Sequence, residues 1–108
     1  MAQIIWHDSA KEHLADIFTY YMDNVSQQVA YSFLHSILTG VESLANMPRK
    51  GARELLLANR KYEYRHLVIR RNYKIIYFID NEECHIVAIW DTRQKPTTLI
   101  AKVTPSKQ

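Results

Sequence analysis

The sequence predicts an α+β domain: an antiparallel sheet of about four strands with an N-terminal two-helix hairpin packed on one face. Three observations lead there. Residues 61–93, KYEYRHLVIRRNYKIIYFIDNEECHIVAIWDTR, are dense in β-branched and aromatic side chains and break only at Arg71-Asn72 and Asn81-Glu82. Residues 9–47 instead space their apolar side chains at helical intervals. A composition of 47% hydrophobic and 23% charged residues over 108 positions is that of one domain, residues 1–108, with enough chain to bury a core.

Ile4-Ile5-Trp6 is a short apolar run that predicts a strand joining the sheet. Ser9-Ala10-Lys11-Glu12 has the pattern of a capping box, with Ser9 as N-cap and Glu12 reaching back. Leu14, Ile17, Phe18 and Tyr21 follow at helical spacing, and Asp23-Asn24 ends that helix. Ser26 can cap the next one, whose stripe is Ala30, Phe33, Leu34, Ile37, Val41 and Leu44. Pro48 and Gly51 stop it. Gly40, inside this helix, costs about 1 kcal/mol relative to Ala and suits close packing against a neighbour. Arg53 to Ala58 fits either a strand or a helical turn, and Pro96 can open a short last helix.

Asn tolerates positive φ, so both breaks in the β-rich stretch predict two-residue hairpin turns. Arg70 would then pair with Tyr73, and Asp80 with Glu83. Alternation puts Arg65, Leu67, Ile69, Lys74, Ile76, Phe78, His85, Val87, Ile89, Asp91 and Arg93 on one face. Tyr64, His66, Val68, Arg70, Tyr73, Ile75, Tyr77, Ile79, Ile86, Ala88 and Trp90 take the other. A slip of one residue in either turn would send a whole strand to the opposite set.

The net charge of +3 hides an asymmetry. Residues 1–48 hold one basic and five acidic residues, a net of −4, whereas residues 49–108 hold 13 basic and six acidic, a net of +7. A basic sheet suits an anionic partner, nucleic acid or acidic peptide, or is simply a solvated surface. No apolar run approaches the roughly 20 residues of a membrane span. No basic segment followed by an apolar block opens the chain. The lone Cys84 cannot make an internal disulfide and reads as a small buried hydrophobe, so the expected location is the cytoplasm. There is no P-loop, no glycine-rich dinucleotide motif and no zinc spacing. His35 reads as structural, and His66 and His85 as ordinary packing or surface positions.

Leu44-x-x-x-Pro48-x-x-Gly51, then Tyr64-Arg65-x-Leu67 and Tyr73-Lys74-Ile75-Ile76-Tyr77, and finally Ile89-Trp90-Asp91-Thr92-Arg93, together resemble the RelE/ParE superfamily of bacterial toxins. The resemblance spans roughly residues 4 to 100. It implies the toxin of a type II toxin–antitoxin, plasmid-stabilisation-like module. It also implies a cognate antitoxin as partner, and no metal or small-molecule cofactor. The RelE-like branch cuts mRNA on the ribosome; the ParE-like branch inhibits DNA gyrase and needs no nuclease residues. An endoribonuclease needs a base, an acid and cations on the phosphate. The resemblance assigns the catalytic, RNA-binding cations to Arg65, Lys74 and Arg93, all on one face in the register above. Lys at position 74 lacks the bidentate fork of the Arg common there. Leu67 stands where RelE is basic. No Tyr or His follows Arg93, Thr92 and Thr97 being poor substitutes, and Glu54 is the candidate base. The sequence thus predicts an mRNA endoribonuclease, with a gyrase inhibitor or an inactive antitoxin-binding module as alternatives.

Overall fold

The computed structural model describes residues 1–103. Strand β1 (Gln3–Trp6) leads into helices α1 (Asp8–Asn24) and α2 (Gln27–Asn46). A two-residue strand β2 (Ala52–Arg53) and a 3-10 turn (Leu55–Leu57) follow, so the ambiguous segment is both strand and helical turn. Strands β3 (Arg65–Ile69), β4 (Tyr73–Asp80) and β5 (Glu83–Asp91) precede a short helix α3 (Pro96–Lys102). The α+β class holds, with two differences. The sheet has five strands in the order β1-β5-β4-β3-β2, and β1 runs parallel to β5. The helical hairpin carries the chain across the sheet, so β1 lies on one edge and β2 on the other.

Ser26 caps α2 as expected, accepting from Val29 N at 3.1 Å. The capping box of α1 does not form. His7 takes the N-cap position without a side-chain bond, and Ser9 Oγ instead donates to Val87 O at 2.7 Å. That bond ties the helix to β5, a tertiary use that outcompetes the local one.

The β4–β5 turn matches its expectation: Asp80 pairs with Glu83, with Asn81 and Glu82 at φ of 50° and 65°. The β3–β4 turn does not. Ile69, not Arg70, pairs with Tyr73, across a three-residue loop in which Arg70 and Arg71 have φ of 52° and 68°. Left-handed backbone at a non-glycine residue costs ~1 kcal/mol or more. Burial decides the register: it places Leu67 and Ile69 under α2 beside Ile75 and Tyr73. Gly40 makes room for them, since a Cβ there would stand 2.6 Å from Ile69 Cδ1. Arg70 then bonds Ser36 Oγ at 2.7 Å and Ser32 O at 3.1 Å, fastening the loop to α2.

A bulge between Ile76 and Tyr77 gives a second shift. Tyr77 pairs with Ile86 but Ile76 pairs with Ala88, so Val87 is extra. Beyond it, Ile89 joins the helix side while Ala88 and Trp90 join Val87 opposite, the reverse of simple alternation.

The sheet is covered on both faces, not one. Phe33, Ile37, Val41 and Leu44 of α2 pack on Tyr73, Ile75, Tyr77, Cys84, Ile86 and Ile89. Leu57, Tyr64, Leu99 and Val103 pack on Ile76, Phe78, Val87 and Trp90 from the other side. Cys84 is fully buried, and desolvation pushes its thiol up to about 11. Tyr77 fixes the turn after α2: its hydroxyl donates to Pro48 O at 2.7 Å and accepts from Gly51 N at 2.9 Å. A Cβ on Gly51 would lie 2.5 Å from both that hydroxyl and His66 O, so only glycine fits.

Phe33→Ala is expected to lower the unfolding free energy by about 3–5 kcal/mol, as a buried aromatic lost from a packed core does. Tyr77→Phe should cost about 1–3 kcal/mol, because Gly51 N is left buried without an acceptor. Urea denaturation checks both; unchanged midpoints would refute the helix-side packing.

Candidate functional site

Arg65 opens β3 on the helix-covered face, opposite Tyr77. Its guanidinium donates to Gly51 O at 2.7 Å and pairs with Glu63 at 3.0 Å. Its side chain is only 16% exposed, so it braces the turn that Tyr77 holds. Lys74 has the opposite parity on β4 and projects from the other face, where its Nζ lies 3.1 Å from Glu54 Oε1. Arg93 lies beyond the end of β5. It grips Asp91 through two bonds of 2.9 Å, which hold the Asp91 carboxyl below its usual range. The expectation that the three cations share one face is therefore corrected. The β3–β4 pairing differs by one residue, so Arg65 and Lys74 stand on opposite sides of a packed sheet.

A different trio meets instead. Glu54 is the one buried charged residue among the described residues. It is held by its own amide, which donates to Tyr64 O at 2.8 Å, and by Oε2, which accepts from Leu56 N at 3.1 Å. That leaves Oε1 for Lys74, at 3.1 Å. His66 Nδ1 is also 3.1 Å from Oε1, but off the angle of a hydrogen bond, and so has no hydrogen-bond partner. Burial first and the Lys74 charge second lower the His66 pKa, with Glu54 opposing them. The result is a neutral imidazole beside a carboxylate and an ammonium, a set able to move a proton. Reading His66 as ordinary packing missed this. The signal was alternation in the correct register, which places His66 and Lys74 on one face.

Arg93 belongs to a second feature. A cavity of ≈ 680 Å³ opens between α1 and the end of β5, lined by His13, Asp16, Tyr20, Tyr21, Tyr73 and Arg93 among others. The Tyr21 and Tyr73 hydroxyls share a hydrogen bond of 2.6 Å at its wall, and burial with that bond raises the Tyr73 pKa. Ile89 N donates to His13 Nδ1 at 3.3 Å, which leaves the proton of the neutral ring on Nε2. Among the described residues no three of His, Cys, Asp and Glu gather as a metal site, and no helix is long and apolar enough to cross a membrane.

A family profile described as the ParE toxin of the type II toxin-antitoxin system parDE matches residues 4–96. The chain belongs to the ParE toxin family. Its fold is similar to a solved structure described as the chromosomal ParDE toxin–antitoxin system from P. aeruginosa, at a TM-score of 0.70 and 20% identity. That match covers 84% of this chain and 96% of the other. No curated protein matches the sequence. The superfamily expected from the sequence is thus borne out, and as a ParE toxin the chain pairs with a cognate antitoxin. Neither likeness carries RNA cleavage.

Lys74→Ala is expected to cost the toxin about 3–5 kcal/mol, since it strands the buried Glu54 carboxylate. Adding Glu54→Gln should return most of that loss; a purely additive double mutant in urea denaturation would show the pair is uncoupled. His66 adds a pH dependence. Its folded pKa lies below the ordinary 6.5, so its contribution is full above that pH and falls as pH drops through the lowered value. His66→Gln should flatten that part of the stability–pH curve.

Proposed function

We propose that this toxin arrests growth by inhibiting DNA gyrase, without cutting RNA, until its antitoxin neutralises it. The observation that carries this reading is the separation of Arg65 from Lys74 by the thickness of the sheet. An RNA phosphate in its transition state needs several cations converging on one point. Here Arg65 is spent on Gly51 and Glu63, Lys74 on Glu54, and Arg93 on Asp91. The ParE family match points the same way, toward the branch that needs no nuclease residues. The cytoplasm is where such a target is met.

RNA cleavage is the second reading, and the Glu54–His66–Lys74 trio favours it. His66 would take the 2′-hydroxyl proton and Lys74 would face the phosphate. The Glu54 side chain is 4% exposed, so it would position Lys74 rather than touch RNA.

Inducing the toxin without antitoxin separates the two. Plasmid supercoiling should stall while labelled amino acids continue to enter protein for the first minutes. Glu54→Gln, which keeps size and shape, should stay fully toxic. Immediate translation arrest with normal supercoiling, abolished by Glu54→Gln, would overturn gyrase inhibition in favour of cleavage.

A further inference from the structure

One polar cluster has no part in either reading. It sits where β1 ends, at the edge of the sheet. His7 Nε2 lies 2.9 Å from His85 Nδ1, and His85 Nε2 lies 3.1 Å from Glu83 Oε1. An ionised carboxylate only accepts, so His85 Nε2 carries a proton. In the neutral ring Nδ1 is then a lone pair, and His7 Nε2–H must be the donor to it. The tautomers of both rings follow from the one carboxylate. Phe78 stacks on His85 with centroids 4.6 Å apart and planes 7° apart, and Tyr62 stacks on the far side of Phe78 at 4.0 Å. His7 meets the edge of both rings. Both imidazoles are thus packed against the same aromatic stack.

β1 is an edge strand, with Ile4 and Trp6 packed against the helix-side core and Ala2 N donating to Ala45 O at 2.8 Å. β1 has four residues and pairs with β5 along one side only. Gln3 N donates to Glu82 O at 3.1 Å and His7 N to Ile86 O at 2.9 Å. Beyond β1 the edge of β5 would be open, a template on which another extended chain can pair.

We propose that His7 and His85 form a proton-operated latch that holds β1 against β5 at neutral pH and releases it in acid. The first added proton is tolerated. On His85 it gives a cation between Glu83 and a neutral His7, and the contact survives with its polarity reversed. The second proton makes both rings cations with N–H groups facing across 2.9 Å, and the bond cannot exist. The surroundings make the second proton the costly one. Glu83 of β5 faces His85, while Asp8 and Glu12 of α1 and Lys102 of α3 line the same cleft as His7. Burial first and the His85 charge second outweigh Asp8 and lower the His7 pKa.

Imidazole 15N NMR on the whole protein, titrated from about pH 8 to about pH 4.5, tests this across the histidine range. Each ring is read separately, so His13 and His66 do not interfere. The His7 ring is expected to titrate below the ordinary 6.5. Hydrogen exchange at the β1 amides should lose protection about tenfold or more through that His7 step alone. Glu83 is half-buried, and Glu83→Gln, which keeps size and shape, should release the His85 tautomer, read from the same 15N shifts. A His7 step at or above 6.5 would overturn the latch, as would β1 protection that ignores that step. A His85 tautomer unmoved by Glu83→Gln would overturn the assigned hydrogen-bond direction.

Discussion

Strands β4 and β5 are covered on both faces, and most of the molecule follows from that. Ile75, Ile76 and Tyr77 are consecutive and each is 0% exposed, so neither face of β4 can be given to water. Helix α2 covers one side, and the 3-10 turn with α3 covers the other. A strand buried twice has no polar face by which a one-residue slip could be recognised from its own sequence. Its register is instead set by the neighbours it must fit: Gly40 receives Ile69, and Gly51 receives Tyr77. Burying each such side chain stabilises the fold by about 1.5–3 kcal/mol. Several of them outweigh two left-handed arginines in the β3–β4 loop.

The same constraint sorts the charges. A sheet closed on both sides leaves its cations only the edges, the turns and the rare buried pair. Arg65 becomes a brace for the turn after α2, and Arg70 a fastener on Ser32 and Ser36. Lys74 alone stays over the sheet, and it is accompanied by Glu54, since a buried carboxylate without a partner would be costly. Part of the basic excess of residues 49–108 is thus tied to neighbouring groups, while Arg49, Arg71 and Lys95 stay exposed. Arg65 and Lys74 consequently do not share a face.

The two histidine clusters show how position changes the meaning of a residue type. His66 lies beside Glu54 under Lys74 and is kept neutral by burial and a neighbouring cation. His85 has Glu83 on one side and His7 on the other, which fixes its tautomer. Both read as ordinary positions in one dimension. Their partners come in part from other elements: Glu54 from the segment before the 3-10 turn, Lys74 from β4 and His7 from the end of β1.

By itself the sequence determined the α+β class, the helical hairpin with its Ser26 cap, the Asn81-Glu82 turn, the burial of Cys84 and the toxin superfamily. Those features rest on local chemistry: apolar spacing, capping side chains, backbone preference at turns and a run of residues such as Tyr73 to Tyr77. Tertiary structure alone decided the β3–β4 register, the bulge at Val87, the parallel edge strand and the second core. Each compares the packing of distant segments whose local energies are nearly equal. Candidate-site geometry went with the register, because in a pleated strand a shift of one residue carries every side chain through the sheet.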